Sequence, residues 1–123
     1  EKHLGLKLST DEKTMLKQVF DTLADSALAQ RQVMVHRDYH SRNLMVCKAN
    51  APLHDKDFIG IIDFQDAVYG ALTYDLVSLL KDCYIQWPRE KVLAWLGYFK
   101  AHSPLAADIT EEQLVRDFCA LKP

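Results

Sequence analysis

The stretch that most restricts the fold of this chain lies between residues 33 and 46. Two short apolar runs, Val-Met-Val and Leu-Met-Val, enclose eight mostly polar residues, His36 to Asn43. Apolar runs of this length indicate buried strand segments rather than helices, which show a longer periodic pattern. A polar loop held between two strands is a frequent place for functional side chains. The sequence therefore predicts a strand–loop–strand unit that presents a chemical site.

A further apolar run delivers a second carboxylate. Phe58-Ile-Gly-Ile-Ile62 predicts a buried strand, and Asp63 follows it directly. Within the loop, Asp38 precedes Asn43 by five positions. Phosphoryl transfer needs a carboxylate that orients a hydroxyl and accepts its proton, and hard oxygen ligands for Mg²⁺. Asp38 suits the first task, and Asn43 with Asp63 suits the second.

Helical patterns account for most of the remaining chain. Ser9 and the acidic residues after it predict a helix start, and apolar residues recur on one face to about Gln30. Further helices are predicted from Tyr74, Pro88 and Thr110. We expect the apolar stripe of every one of these helices, including the first, to face the core. Residues 49–52 carry turn signals, and residues 65–73, which include Gly70, are expected to form a loop. These elements predict an α+β fold, mainly helical, with a small two- to four-stranded hairpin sheet.

The composition argues against several classes of protein. The net charge of −2 and the absence of a long Lys/Arg run argue against a nucleic-acid partner. No apolar run approaches the roughly 20 residues that a membrane helix needs, and no signal peptide opens the chain. Three widely spaced cysteines predict reduced, mostly buried thiols: Cys47, Cys83 and Cys119. We expect a cytoplasmic protein with a small-molecule substrate and no membrane partner.

The motifs as a whole resemble the aminoglycoside phosphotransferase and choline kinase superfamily, small-molecule kinases that share the protein-kinase fold. Many members carry His-Gly-Asp-x-His-x-x-Asn, which residues 36–43 match except at Arg37. The stretch from Gly70 to Leu76 resembles a downstream Gly-Asp-Pro-x-x-Asp-Leu motif. More narrowly, residues 36–45 with residues 63–70 are similar to bacterial kinases that phosphorylate N-acetylmuramate and N-acetylglucosamine at C1 in cell-wall recycling.

The resemblance implies a role for each matching residue. Asp38 would be the catalytic base, Asn43 and Asp63 would hold Mg²⁺, and ATP would be the co-substrate. Three residues would support the loop: His36, His40 and Asp75. Asp75 would do so by accepting hydrogen bonds from backbone amides of the loop. Three charged residues are candidates for substrate binding: Arg37, Arg42 and Asp66. Tyr84 and Trp87 are more typical of core or rim positions, although aromatic faces also pack on sugar rings.

Two departures from related kinases bear on the substrate and on the extent of the domain. Asp63 and Asp75 are too close in sequence for a peptide-docking segment between them, which favours a small-molecule substrate over a protein. Before residue 33 there is one helical pattern and no Gly-rich loop or strand lysine. We therefore expect residues 1–123 to form a partial kinase-like C-terminal lobe without the N-terminal ATP-binding lobe. Alone, such a chain should be nearly inactive, and its uncovered surface could support a homodimer.

Other interpretations remain open at this point. The acceptor could be an aminoglycoside or another small molecule, and the chain could be a binding fragment without catalytic activity. A metal-dependent hydrolase is a further alternative. On an extended strand, alternating side chains point to one side and could bind a metal: His36, Asp38 and His40, completed by Asp63.

Overall fold

The computed structural model describes residues 7–49 and 55–121. The described helices are α1 (Thr10–Ala29), α2 (Tyr74–Leu80), α3 (Arg89–His102) and α4 (Glu111–Ala120), with short 3-10 turns at Ser41–Asn43 and Pro104–Ala106. The described strands are β1 (Gln32–Val35), β2 (Leu44–Cys47), β3 (Phe58–Ile61) and β4 (Val68–Ala71). This mixture confirms the α+β prediction. The turn predicted at residues 49–52 lies almost wholly outside the described residues.

The described strands form two separate antiparallel pairs rather than one sheet. β1 pairs with β4, with Val33 opposite Gly70. β2 pairs with β3, with Leu44 opposite Ile61. Residues 36–43 connect the first pair to the second, so the polar loop is attached to a strand at each end.

β4 lies in the segment for which the sequence predicted a loop, and that prediction was wrong. Gly70 was interpreted as a turn signal, but it lies opposite Val33 inside a strand. A Cβ atom at Gly70 would come within 2.9 Å of Cγ2 of Val35. Glycine is therefore needed at this position because the Val35 side chain lies against the backbone of the paired strand. Such close approach is one of the reasons for which glycine occurs inside strands.

The core lies among the last three helices, as the apolar stripes predicted. Its buried members come from α2, α3 and α4: Leu80, Val92, Leu96, Leu114 and Phe118. α2 begins at Tyr74, as predicted, and ends at Leu80. The hydroxyl of Thr110 accepts a hydrogen bond from the Gln113 N–H and caps the start of α4.

α1 begins where the sequence predicted, but its apolar stripe does not lie in the core. Ser9 and Glu12 form the reciprocal capping box at its start. No residue of the helix is buried, and Phe20 is 65% exposed. The prediction of a core-facing stripe was wrong because, among the described elements, only the C-terminal end of α1 is packed, with Ser26 and Ala27 half-buried. No helix of the described residues, α1 included, combines the length and apolar character that a membrane crossing requires.

The burial predicted for the second strand pair and for the cysteines was also wrong. Val46 in β2 and Ile59 in β3 are 68% and 56% exposed, because a two-stranded sheet has two faces and no described element covers either fully. All three cysteines are free thiols; Cys47 is half-buried, and Cys83 and Cys119 are exposed.

Candidate active site

The beginning of the polar loop is fixed by a carboxylate from the first turn of α2. Asp75 accepts a hydrogen bond from the His36 N–H through Oδ2 (2.7 Å) and one from the Arg37 N–H through Oδ1 (3.1 Å). Arg37 has a φ of 77°, a left-handed conformation that favours glycine. The chain turns sharply where β1 ends, and Asp75 provides acceptors for the two amides exposed by that turn.

The two ends of the loop meet at the peptide groups of Ile62. The Nε2 atom of His36 lies 2.8 Å from the Ile62 carbonyl oxygen. Since a carbonyl can only accept, Nε2 carries the hydrogen. The Ile62 N–H in turn donates to the Asn43 carbonyl over 3.1 Å. Asp63 follows Ile62 in the chain. These backbone hydrogen bonds therefore connect the segment that carries Asp63 to both ends of the loop.

Inside the loop, the backbone oxygen of Asp38 is bonded twice. It accepts hydrogen bonds from Nδ2 of Asn43 (2.9 Å) and from the His40 N–H (3.0 Å). The carboxylate of the same residue is exposed and has no hydrogen-bond or ion-pair partner among the described residues. The backbone of Asp38 is thus held in place, while its carboxylate remains available to another molecule.

Asp63 presents its carboxylate from a left-handed backbone conformation. Its φ is 66°, which aspartate tolerates better than most residues. Nε2 of Gln65 donates to Oδ1 of Asp63 over 2.7 Å. This contact was not recognised from the sequence, where the place of Gln65 two residues beyond a carboxylate was the only signal for it.

Asn43 and Asp63 provide oxygen atoms of the kind that Mg²⁺ prefers. The amide nitrogen of Asn43 is directed to the Asp38 carbonyl, which leaves its side-chain oxygen unused, and Oδ2 of Asp63 is likewise unused within the described residues. Mg²⁺ is commonly held by one or two such protein ligands together with substrate phosphates and waters. The donor set therefore fits this ion.

The geometry contradicts the alternative of a hydrolytic metal centre. β1 ends at Val35, so His36, Asp38 and His40 do not alternate along a strand. His36 is buried against Ile62, whereas Asp38 is exposed. Among the described residues, no three side chains of His, Cys, Asp or Glu come together as metal ligands.

The other side of the loop contacts the turn that follows α2. Asp82 accepts hydrogen bonds from the Ser41 hydroxyl and the Tyr84 N–H, each over 3.1 Å. Burial raises the pKa of Asp82, but the hydrogen bonds from Tyr84 and Ser41 outweigh it and hold the pKa below its ordinary value. The guanidinium carbon of Arg42 lies 3.7 Å from the centre of the Tyr84 ring, and the His40 ring meets the same ring edge-on at 6.3 Å.

These contacts decide which candidate residues lie together. His36, Asp38, His40, Asn43 and Asp75 belong to one network of hydrogen bonds that passes through the backbone of Ile62. Asp63 is attached to this network as the residue after Ile62, and its own hydrogen bond is with Gln65. Asp66 is exposed, and the structure gives it no hydrogen bond or ion pair within the described residues. Ser41 and Asp82 were not recognised from the sequence, because nothing in their spacing indicates that the loop and the turn after α2 would meet.

Comparison with known proteins identifies the family. The model of the phosphotransferase enzyme family matches residues 1–110. An N-acetylmuramate/N-acetylglucosamine kinase of Pseudomonas putida is 46% identical over 96 residues, which cover 78% of this chain and 26% of that protein. Kinases of the same name are 41% identical over 98 residues in Pseudomonas aeruginosa (80% of this chain, 27% of the relative) and 45% over 92 residues in Neisseria meningitidis (75% and 25%). The matched region thus spans about a quarter of the length of these curated relatives. The chain belongs to the phosphotransferase enzyme family.

Proposed function

We propose that this chain provides the catalytic loop of an ATP-dependent kinase that phosphorylates an amino sugar, N-acetylmuramate or N-acetylglucosamine, on its anomeric hydroxyl. The relatives at 41–46% identity carry the name of such a kinase. The observation that carries the proposal is the exposed, unbonded carboxylate of Asp38 on a loop whose backbone is held at both ends.

In the proposed reaction, Asp38 orients the sugar hydroxyl and accepts its proton. The hydroxyl oxygen forms a bond to the γ-phosphorus of ATP, and the bond from that phosphorus to the β–γ bridging oxygen breaks, so ADP leaves. A positioned carboxylate of this kind contributes typically 10²–10⁴-fold to the rate. Little covalent chemistry beyond this is needed from the protein, because phosphoryl transfer depends mainly on positioning and charge.

Asn43 and Asp63 would hold the magnesium ion through the oxygen atoms described above. When bound, Mg²⁺ supplies positive charge beside the phosphate oxygens as charge moves toward the leaving group. Asn43 also fixes Asp38, since its amide nitrogen donates to the Asp38 carbonyl. One side chain thus links the general base to the proposed metal position.

The loop-supporting residues act through position rather than by touching the reactants. Asp75 holds the start of the loop, and His36 ties it to the peptide that precedes Asp63. Errors of about 1 Å in such arrangements can cost roughly 10²-fold in rate, which is the reason for so many bonds to one short loop.

The test is phosphate transfer by the protein that the complete reading frame around this chain encodes. With ATP, Mg²⁺ and N-acetylmuramate or N-acetylglucosamine, we expect a sugar 1-phosphate, identified by phosphorus NMR. Asp38→Asn should lower kcat about 10²–10⁴-fold with little change in folding. Asp55→Asn, which changes an exposed carboxylate outside the loop, is the matched control and should retain activity.

The outcomes separate the alternatives. A 6-phosphate product would contradict the anomeric assignment, and phosphorylation of an aminoglycoside in place of either sugar would contradict the substrate class. Equal activity of Asp38→Asn and Asp55→Asn would contradict the role of Asp38, and an intact protein that binds the sugars without turnover would indicate a binding function.

A further inference from the structure

We propose that Arg42, held against the ring of Tyr84, binds the carboxylate of an anionic sugar substrate and so determines the preference for N-acetylmuramate over N-acetylglucosamine. The two sugars differ in the lactyl ether of N-acetylmuramate, which ends in a carboxylate. This inference rests on the proposed function, because it assigns one part of the substrate to one side chain of the same site.

Arg42 lies close to the proposed reaction centre along the backbone. It belongs to the 3-10 turn Ser41–Asn43, directly before the residue whose amide nitrogen bonds the Asp38 carbonyl. Its side chain extends to the turn after α2, where the guanidinium carbon lies 3.7 Å from the centre of the Tyr84 ring. A group bound to Arg42 would therefore sit between the catalytic loop and this turn.

The position above the Tyr84 ring limits the freedom of the guanidinium group. A planar cation above an aromatic face keeps its N–H groups at the edge, where two of them can pair with the two oxygens of a carboxylate. The Arg42 side chain has then already lost part of its conformational entropy before the substrate binds. The entropy loss on binding is smaller, and the affinity is higher.

The backbone of Tyr84 is itself connected to the loop by Asp82. One oxygen of Asp82 accepts from the Tyr84 N–H, and the other accepts from the hydroxyl of Ser41, the residue before Arg42. The arginine and the ring beneath it are thus connected through a single carboxylate. The orientation of Arg42 relative to the loop follows from this connection.

The charge of Arg42 is not neutralised within the described residues. Arg31, by contrast, forms an ion pair with Asp108 and a hydrogen bond with the Leu105 carbonyl. Asp82, the carboxylate held beside Tyr84, accepts hydrogen bonds from Ser41 and Tyr84 and forms no ion pair with Arg42 within the described residues. An exposed, oriented and unpaired cation beside the catalytic loop suits an anionic ligand.

Arg37, the other arginine of the loop, fits this role less well. Its backbone is fixed in a left-handed conformation and its N–H is bonded to Asp75, on the side of the loop that faces the first turn of α2. The structure gives its side chain no aromatic support within the described residues. Arg42 is therefore the better candidate for the carboxylate.

The experiment compares the two sugars with one another in the protein from the complete reading frame. The measured quantity is the ratio of kcat/KM for N-acetylmuramate to that for N-acetylglucosamine. Loss of one charge-assisted interaction should lower this ratio about tenfold or more in Arg42→Gln, mainly through the KM for N-acetylmuramate. Tyr84→Leu, which keeps the charge but removes the stack, should lower it by a smaller factor.

Two controls accompany these variants. Arg116→Gln removes an exposed arginine on α4 that contacts Gln113, and the ratio should be unchanged. The methyl ester of N-acetylmuramate lacks the anionic charge, so its kcat/KM should be nearly the same for the unmodified protein and for Arg42→Gln.

Each outcome has a defined meaning. If both sugars are phosphorylated and Arg42→Gln leaves the ratio unchanged, the role of Arg42 is wrong while the proposed function stands. If Arg37→Gln lowers the ratio and Arg42→Gln does not, the carboxylate binds on the other side of the loop. If the unmodified protein phosphorylates neither sugar, the proposed function fails and this inference fails with it.

Discussion

The ring of His36 donates a hydrogen bond from Nε2 to the carbonyl oxygen of Ile62 over 2.8 Å. This bond joins the start of the polar loop to the residue that precedes Asp63. His36 is only 9% exposed, and its other ring nitrogen is buried without a hydrogen-bond partner in the described part of the chain. The contact with Ile62 is therefore the polar interaction that fixes the orientation of the ring.

Replacement of His36 should lower stability in a way that depends on this bond. His36→Leu removes the donor and should cost about 1 kcal/mol or more in the free energy of unfolding. His36→Gln places an amide nitrogen at a similar distance from the backbone and should cost less. Urea unfolding of both variants measures the difference, and equal losses would show that the ring matters only for packing.

Replacement of Asp75 should release the two amides that begin the loop. Asn at this position has one oxygen acceptor, so at least one N–H of His36 and Arg37 loses its partner. Hydrogen bonds to charged groups contribute about 1.5–3 kcal/mol, so amide exchange at these positions should accelerate about tenfold or more in Asp75→Asn. Exchange measured by NMR checks this, with Asp66→Asn as the control. Unchanged protection would contradict the arrangement.

The backbone at Arg37 predicts a stabilising substitution. A φ of 77° is unfavourable for residues with a Cβ atom and is accessible to glycine. Arg37→Gly should be more stable than Arg37→Ala by about 1 kcal/mol, after allowance for the greater freedom of glycine in the unfolded chain. Thermal unfolding of the two variants makes the comparison, and a more stable alanine variant would contradict the left-handed geometry.

Asp57 should make a pH-dependent contribution to the hairpin of β2 and β3. The Lys48 ammonium (2.7 Å) and the Ala49 N–H (2.9 Å) hold the pKa of Asp57 below its usual value of 3.8. Because the pKa is lower in the folded than in the unfolded chain, this stabilisation is present above pH 3.8 and is lost as pH falls through the lowered pKa.

The measurement is the stability difference between the unmodified protein and Asp57→Asn as a function of pH. We expect a constant difference above about pH 5 and a decline at lower pH. A difference that grows as the solution becomes more acidic would have the wrong sign for this contact.

The parts of the fold that the sequence predicted are those specified locally. The capping box at Ser9 and Glu12 and the apolar periods of α3 and α4 depend on residues close in the chain, so the helices were placed correctly. β4 was missed because Gly70 indicates a turn as well as a strand contact, and only pairing with β1 distinguishes the two. The exposure of Phe20 in α1 depends on which elements pack together, which periodicity does not specify.

In the candidate site, too, the features predicted from the sequence are those specified by residues close together in the chain. Spacing and family resemblance named Asp38, Asn43 and Asp63, and the network of hydrogen bonds brings their segments together. The contacts of Gln65 and Asp82 were not recognised, since each depends on side-chain placement in a turn or on the meeting of distant segments. Their identification needed coordinates.

Ile62 connects the site without using its side chain. Its N–H and C=O groups join Asn43 and His36, while the residue is 46% exposed. Most substitutions at this position would keep both bonds, and proline alone would remove the N–H. The connection between the loop and the segment that carries Asp63 is therefore specified by the path of the backbone and is nearly independent of the side chain at this position.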